Sequence, residues 1–380
     1  MHTRLVAGGL GLAASGFLVL GYMQMNQPLV YEQVVGQSQE FATGTTTPAE
    51  VALPSWPLPL DTADYDARLL KLVGYVPPAA PATTSTTTLP MVSNLRFSSS
   101  TNVTVLGDPW PPAQPYPHGG AILPFKRIIA YYGNFYSTRM GILGEFASST
   151  VLAQLRETAA AWEAADPATP VVPAIHYIAM VAQADPRADG MYRAVMPDEH
   201  IQRAYDMTKE IDGIMFLDLQ VGLSTIEREL PQFRAWMSKP EMHLGIDPEF
   251  SMKSGNKPGT VIGTFDAADI NFTIDWMSEI VREYQLPPKV LVIHRFTQNM
   301  VTNYQNIKPT PEVQVVIHMD GWGSQQLKRN TYATVVEPEP VQFAGLKIFY
   351  KNDLKPPSTG IFTPTEALRL DPQPVYIQYQ

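Results

Sequence analysis

The sequence predicts an α/β protein whose larger part, residues 126–380, folds as a (β/α)8 TIM-like barrel. From Lys126 onward, short apolar runs alternate with helix-length amphipathic segments, and seven or eight such units match a barrel of about 250 residues. Near-continuous apolar strands between helices indicate a parallel sheet buried on both faces. The main rival is a doubly wound open sheet, but no G-x-G-x-x-G follows the first strand and there is no P-loop. The barrel is therefore favoured.

The composition limits the classes of partner and chemistry. The chain has 380 residues, of which 45% are hydrophobic, enough for one large domain with extensions. With 27 Lys and Arg against 36 Asp and Glu, the net charge is -9, and no basic run with interleaved aromatics occurs, so we expect no nucleic-acid partner. The chain has no cysteine, which excludes disulfides, thiolate nucleophiles and a lipobox cysteine. The oligomeric state stays open.

Residues 1–23 form a predicted transmembrane anchor or signal segment. Residues 5–23 carry no charge, and as a helix they would cover about 28 Å of a hydrocarbon core about 30 Å thick. No convincing A-x-A site follows, which favours an uncleaved anchor over a removed signal peptide. Arg4 predicts a cytoplasmic N-terminus. We therefore expect the remaining chain to be exported, either anchored at the extracytoplasmic face of the membrane or secreted.

Residues 24–125 are predicted to be an extended Pro/Thr-rich linker and wrapping segment. One helix is expected within it, over residues 62–75. Residues 77–90, "PPAAPATTSTTTLP", have nothing to bury and indicate a solvated spacer. The Pro-rich stretch 107–120 is expected to wrap onto the domain, where Trp110 and Tyr116 could cap the bottom of the barrel.

Eight strands and four long helices are predicted within the barrel region. The strands are expected at residues 127–135, 171–180, 213–222, 242–250, 289–296, 313–323, 345–353 and in the C-terminal "PVYIQYQ"; the helices at 151–166, 198–211, 224–239 and 266–286. Asp198 is the expected cap of the second helix. Ser224 and Glu227 have the spacing of a capping box at the start of the third.

Polar and ionisable residues recur where the predicted strands end. In a barrel of this kind the catalytic groups lie at the C-terminal ends of the strands, and a purely structural barrel has no reason to place so many ionisable groups there. The candidate catalytic residues are Glu249, Asp247, Asp218 and Asp320, and the candidate substrate-binding residues are Tyr132, His176, His294, His318 and Trp322.

Asp247 and Glu249, in "HLGIDPEFSM", are the strongest pair of candidates. In an extended strand, residues i and i+2 share a face, so the two carboxyl groups would lie about 6.5–7 Å apart. At that distance the charge of one carboxylate disfavours ionisation of the other, so one of the two can stay protonated near neutral pH. This arrangement suits a general acid beside a charge stabiliser. Alternatively, the two acids cap the next loop or pair with Lys253 and Arg295.

A D-x-E at the end of strand four resembles the chitinase families and the barrel-type bacterial muramidases. The resemblance implies that Glu249 protonates the glycosidic oxygen and that Asp247 supports the substrate or its intermediate. It also implies that an N-acetyl group of the sugar can act as the internal nucleophile, and that no metal or cofactor is needed. The chain differs from the longer chitinase pattern at Met242 and Gly245, where that pattern has acids.

The resulting prediction is an extracytoplasmic glycoside hydrolase acting on a cell-wall or environmental polysaccharide. Aromatic side chains such as Tyr132 and Trp322 could stack on sugar faces, so a polysaccharide or glycan is the expected ligand. The membrane is the second expected partner, through the N-terminal helix.

Two alternatives remain open at the level of sequence. One is a metal-dependent hydrolase, in which His294 and His318 bind Zn²⁺ together with Asp218 or Asp320. Against it, strand one lacks the H-x-H and strand four the lysine of the amidohydrolase type. The other is a non-catalytic barrel displayed at the surface, which binds glycan or protein or serves as an envelope component.

Overall fold

The computed structural model describes residues 56–75, 95–98, 101–105 and 107–380, with the backbone alone at 95–98. The predicted membrane segment 1–23 and the spacer 77–90 lie outside these residues. Within the described part of the chain, no helix is both long enough and apolar enough to cross a membrane.

Eight parallel strands close into a barrel. They are β1 Arg127–Gly133, β2 Val171–Ala182, β3 Ile214–Leu219, β4 Met242–Ile246, β5 Lys289–Arg295, β6 Val313–Met319, β7 Phe343–Ile348 and β8 Tyr376–Tyr379. Each strand pairs with the next along the chain, and β8 pairs with β1. A short strand, Arg193–Val195, pairs antiparallel with the end of β2. The predicted eight-stranded parallel barrel is thus confirmed.

The helices are less regular than the predicted alternation. They are α1 Thr62–Leu72, α2 Ile142–Glu145, α3 Ser148–Ala165, α4 Asp198–Lys209, α5 Ile226–Glu229, α6 Arg234–Met237, α7 Ala267–Glu283, α8 Gln325–Val335 and α9 Pro364–Ala367. The described chain between β5 and β6 has no α-helix; it contains 3₁₀ turns at Gln298–Met300 and Tyr304–Asn306. Small pairings join Leu95–Ser98 to Thr101–Val105 and Phe265–Asp266 to Val301–Thr302.

Two predicted helix starts and one predicted helix are wrong in detail. The helix predicted at 224–239 is divided into α5, a 3₁₀ turn at Leu230–Phe233 and α6, because Pro231 has no N–H for a regular helix. Thr225, and not Ser224, caps α5 by accepting a hydrogen bond from the backbone of Arg228. Asp198 lies in the first turn of α4, after Pro197 at the cap position.

Strand alternation divides the core into two layers. Side chains that face outward pack against the helices, whereas inward-facing ones form a separate cluster that includes Ala130, Ala174 and Phe216. Tyr65 and Leu69 of α1 belong to the inner cluster. Helix α1, one of the elements predicted correctly, therefore closes the N-terminal end of the barrel.

The Pro-rich stretch that precedes β1 also packs onto the barrel. Tyr116 contacts the inner cluster and donates a hydrogen bond to Asp66 at 2.7 Å. Trp110 belongs to the outer layer instead, where its indole N–H donates to the carbonyl oxygen of Glu337 at 2.9 Å. With the bottom closed in this way, the polar groups lie at the opposite, C-terminal end.

Candidate functional site

Towards the C-terminal ends of the strands, beyond the inner apolar cluster, the inward-facing side chains are polar. They come from seven of the eight strands or the turn after one of them: Tyr132, His176, Asp218, Asp247, His294, His318, Lys347, Tyr376 and Gln378. Each is no more than 4% exposed. Strand periodicity explains the layer, because residues two apart along a strand point to the same side. Six of the nine sequence candidates therefore share this layer, and Asp320 contacts it through His294.

Asp218 of β3 lies at the centre of the cluster. Its Oδ1 atom is 3.3 Å from Nε2 of His176 and 3.3 Å from Nε2 of His294. Its Oδ2 atom accepts a hydrogen bond from the hydroxyl of Tyr132 at 3.0 Å. Burial alone would raise the pKa of Asp218, but the imidazoles of His294 and His176 outweigh it and hold the pKa well below its usual range. Asp218 is therefore ionised.

The two imidazoles beside Asp218 have different second partners. Nδ1 of His176 lies 2.5 Å from the hydroxyl of Tyr376, and burial lowers the pKa of His176 to about 4. Nδ1 of His294 lies 2.9 Å from Oδ2 of Asp320. Burial opposes the charge on His294, but Asp218 and Asp320 prevail and raise its pKa to about 10. Without any bound cation, His294 is thus charged and His176 neutral.

Gly245 of β4 leaves the space that this cluster occupies. A Cβ atom at position 245 would lie 2.5 Å from Oδ1 of Asp218 and 2.5 Å from Nε2 of His176. Such contacts are far inside van der Waals distance, so no side chain fits there without displacing one of the two groups. The close approach of Asp218 to His176 depends on a glycine at this position.

The pair Asp247 and Glu249 departs from the predicted strand geometry. Strand β4 ends at Ile246, and Asp247 caps the 3₁₀ turn Pro248–Phe250. Its Oδ1 atom accepts from the backbone N–H of Glu249 at 3.0 Å, and its Oδ2 atom accepts from the amide of Gln220 at 3.3 Å. The separation expected from an extended strand therefore does not apply. Asp247 is buried, whereas Glu249 is partly exposed.

Both of these carboxyl groups are poised to hold protons near neutral pH. Burial raises the pKa of Asp247 to about 7, with Asp320 and Asp218 adding to the effect and His294 opposing it. Burial likewise raises the pKa of Glu249 to about 8, with further contributions from Asp247 and Asp320. At pH 7 Glu249 is therefore mostly protonated.

The alternative partners for this acid pair are engaged elsewhere. Lys253 forms an ion pair with Asp269, and Arg295 forms one with Glu339. Loop capping holds for Asp247, since it accepts the N–H of Glu249, but it leaves the carboxyl group of Glu249 available.

Three members of the layer were missed by sequence reasoning: Lys347, Tyr376 and Gln378. Lys347 of β7 is buried with its Nζ atom 3.9 Å from the centre of the Tyr132 ring, and burial lowers the pKa of Lys347. Tyr376 of β8 contacts His176, and Gln378 donates to its hydroxyl at 3.0 Å. A signal existed for all three, since a lysine in "GLKIFY" and a tyrosine and a glutamine two residues apart in "VYIQYQ" interrupt apolar strands at inward-facing positions.

His318 and Trp322 complete the candidates, in different positions. His318 is wholly buried, with its ring edge-on to those of His294 and Tyr376 at centroid distances of 5.2 and 4.9 Å. Trp322 lies outside the buried cluster; the residue is 46% exposed, with Lys355 Nζ 5.1 Å from the ring centre. The cluster thus includes His318 but not Trp322.

Comparisons with known proteins add little to this geometry. No protein-family model matches the chain, and no curated protein matches it either. Among solved structures, the chain is similar to a GH5-4 broad-specificity endoglucanase from an uncultured bacterium. The identity is 9%, the match covers 58% of this chain and 77% of that one, and the TM-score is 0.29. A likeness of this degree carries no information about the activity of the present chain.

Proposed function

We propose that this protein is a glycoside hydrolase acting outside the cytoplasm on a cell-wall or environmental polysaccharide, with Glu249 as its general acid. One observation carries the proposal. Glu249 is partly exposed after β4, its carboxyl group has no hydrogen-bond or ion-pair partner among the described residues, and a buried second carboxyl group, Asp247, lies two residues away. An available, protonated acid beside a second carboxyl group is the arrangement that glycosidic bond cleavage needs.

The reaction assigns a step to each carboxyl group. Glu249, with its pKa raised to about 8, donates its proton to the glycosidic oxygen while the bond from that oxygen to the anomeric carbon breaks. The positive charge that develops on the sugar is stabilised by the carboxylate form of Asp247, or is captured by the carbonyl oxygen of an N-acetyl group on the sugar. Water then adds to the anomeric carbon and returns a proton to Glu249.

The remaining candidates have supporting roles in this proposal. The negative charges of Asp218 and Asp320 raise the pKa of Asp247, so they help to keep protons at the site near neutral pH. Tyr132, His176, His294 and His318 are buried, so contact with substrate by these four stays a prediction, as does stacking of a sugar on the exposed face of Trp322.

The location outside the cytoplasm rests on sequence. The uncharged residues 5–23 and the Pro/Thr-rich residues 77–90 have the composition of a membrane anchor and a spacer. Cell-wall glycan would be within reach of a domain held in that way. Cleavage of the anchor would release the same domain as a secreted protein.

The test is turnover by the full-length protein. We would measure reducing ends released from peptidoglycan, chitin oligomers and a panel of plant and bacterial glycans. Glu249→Gln is expected to lower kcat at least about 100-fold, because general acid catalysis contributes that much. Glu199→Gln removes the same charge from the exposed first turn of α4 and is the matched control, expected to have wild-type turnover.

Two outcomes would contradict the proposal. One is unchanged turnover in a folded Glu249→Gln variant, which would remove Glu249 from the reaction. The other is no turnover of any glycan by the folded wild-type protein, which would favour the non-catalytic barrel that binds glycan or protein at the cell surface.

A further inference from the structure

We infer that His176, Asp218 and His294 form a binding site for one divalent transition-metal ion, of the Zn²⁺ type, inside the upper part of the barrel. The inference does not rest on the proposed glycosidase activity. It starts from three ligand atoms, Nε2 of His176, a carboxylate oxygen of Asp218 and Nε2 of His294, which all lie within 4.8 Å of one another.

Two of the three distances between these atoms are those of a tetrahedral ion. Oδ1 of Asp218 lies 3.3 Å from each of the two Nε2 atoms. Around a zinc ion, bonds of about 2.0–2.1 Å at tetrahedral angles separate neighbouring ligand atoms by about 3.3–3.4 Å. The carboxylate oxygen is thus already at the spacing that an ion requires from each imidazole, and the two Nε2 atoms lie within 4.8 Å of each other.

The same three atoms contact one another and have no other partner in the part of the chain that the structure describes. Nε2 of His176, Oδ1 of Asp218 and Nε2 of His294 belong to side chains that are 0% exposed, and apart from the 3.3 Å ion-pair contacts among them, none has a hydrogen-bond partner. A buried polar atom left without a partner costs about 1–3 kcal/mol. Three such atoms directed at one another are unusual in a native core. A single cation would satisfy all three.

Outer partners orient each ligand. Nδ1 of His294 lies 2.9 Å from Oδ2 of Asp320; with the ring hydrogen held at Nδ1, the metal takes Nε2 in place of the second proton of the charged imidazole. Nδ1 of His176 contacts the hydroxyl of Tyr376 at 2.5 Å. Partners of this kind on the far ring nitrogen are the rule for metal-binding histidines.

Contacts of Asp218 and of the neighbouring strand β4 also keep the three ligand atoms in place. Tyr132 donates to Oδ2 of Asp218 at 3.0 Å and so leaves Oδ1 to face the two imidazoles. Gly245 keeps the adjoining space free of a side chain, since a Cβ there would lie 2.5 Å from both Oδ1 of Asp218 and Nε2 of His176.

The ligand set selects the class of metal. Two neutral imidazoles and one carboxylate suit Zn²⁺, Co²⁺, Ni²⁺ or Fe²⁺, whereas Ca²⁺ and Mg²⁺ prefer oxygen ligands alone. Three protein ligands leave the fourth position of a tetrahedral ion to a ligand from outside this set. The set differs from the one that the sequence suggested, because His176 takes the place of His318.

The experiment measures metal directly. Full-length protein, purified without a metal-affinity tag and dialysed against a chelator, is titrated with ZnCl₂ by calorimetry, and bound zinc is counted by mass spectrometry after gel filtration. We expect one zinc per chain. Asp218→Asn, which keeps the side-chain shape, and His176→Gln are each expected to weaken the apparent Kd at least about 100-fold.

Two further variants serve as controls, and circular dichroism verifies that every variant is folded. His318→Gln changes a neighbouring buried histidine that is outside the ligand set, and His200→Gln changes a partly exposed one on α4; both are expected to bind zinc with a Kd within about threefold of the wild-type value. Retained affinity in these two variants, together with loss in the ligand variants, supports the site.

Three results would overturn the inference. They are absence of stoichiometric binding of Zn²⁺, Co²⁺ and Ni²⁺ to the wild-type protein, unchanged affinity in both folded ligand variants, and loss of binding in His318→Gln while His176→Gln still binds. These results are distinct from failure of the proposed function. A protein that binds zinc but hydrolyses no glycan refutes only the glycosidase, and one that hydrolyses glycans but binds no metal refutes only the metal site.

Discussion

Lys289, at the start of β5, provides a sharp test of how burial sets charge in this barrel. Its side chain is 0% exposed, and its Nζ atom donates to the carbonyl oxygens of Lys239 and Met242 at 2.9 and 2.8 Å. Burial lowers the pKa of Lys289 to about 7, and the nearby charge of Glu241 offsets only part of this effect. Its pKa as a free side chain is 10.5.

The direction of the pH dependence follows from proton counting. Between pH 7 and pH 10.5 the unfolded chain holds a proton on Lys289 that the folded chain has released. The free energy of unfolding therefore rises with pH across this window, and Lys289 adds no slope well below pH 7. The displaced pKa corresponds to about 5 kcal/mol over the whole window, of which about 2 kcal/mol is gained between pH 7 and pH 9.

The perturbation is Lys289→Met, which keeps the length of the side chain and removes its titration. Urea unfolding followed by circular dichroism at pH 7, 8 and 9 gives the free energy of unfolding at each pH. Relative to the variant, the wild-type protein is expected to gain about 2 kcal/mol from pH 7 to pH 9. Lys126→Met, at an exposed lysine just before β1, is the control and should follow the wild-type pH dependence.

A parallel pH dependence in wild type and Lys289→Met would refute the reasoning. It would mean that Lys289 keeps its proton in the folded state, with the two carbonyl oxygens compensating for the loss of water. A lower stability of the variant at every pH, by contrast, reports only the two lost hydrogen bonds. The change of slope, and not the absolute stability, is therefore the decisive quantity.

Three further predictions concern the site and its supports. Gly245→Ala introduces a Cβ 2.5 Å from two buried polar atoms; it should lower the free energy of unfolding by about 1–3 kcal/mol, and urea unfolding with an unchanged midpoint would contradict the packing argument. Asp353→Ala leaves Lys328 buried without the carboxylate that now lies 3.0 Å away. The same assay is expected to show a free energy of unfolding lower by about 3–5 kcal/mol. A decrease below about 1 kcal/mol would mean that water replaces the carboxylate. Asp247→Asn removes a negative charge that helps to raise the pKa of Glu249. Because the acid works protonated, the alkaline fall in the normalised pH profile of kcat/KM should move from about pH 8 to lower pH. An unchanged profile would mean that the charge of Asp247 does not affect the pKa of Glu249.

Much of the fold was predictable because it depends on short-range pattern. Each barrel strand is an apolar run whose alternate residues face the helices and the interior, and this periodicity is present in the sequence itself. The ends of strands were less predictable. The apolar and polar residues of 242–250 look like one strand, but Asp247 caps a turn and Pro248 cannot donate to a sheet, so β4 ends at Ile246.

The helices illustrate the same limit. The amphipathic pattern at 224–239 is continuous, yet Pro231 and the packing around it produce α5, a 3₁₀ turn and α6. The chain between β5 and β6 has no long amphipathic stretch, and only short turns cross there. Whether a segment of this length forms a helix or only turns depends on the positions of the two strands that it connects. The local sequence does not contain those positions.

The candidate site was predictable by position but not by contact. Periodicity indicates that Asp218, His294 and His176 face inward near the mouth, and the contact of His294 with Asp320 joins β5 to the residue that directly follows β6. The central position of Asp218 between two imidazoles follows from the stagger of strands around the closed barrel. That stagger is a property of the whole sheet, so no local pattern contains it.

The sequence by itself determined that eight apolar strands would bury an interior and that ionisable groups would gather at one end of it, because side-chain direction in a strand is a matter of alternation. Only the tertiary structure decided the pKa, and therefore the charge, of each of those groups. Asp218 and Asp247 are the same amino acid at the ends of adjacent strands, yet the pKa of Asp218 is lowered by two imidazoles and that of Asp247 is raised by burial and by carboxylates. A pKa depends on burial and on charges that other strands bring near, and those become defined only when the barrel closes.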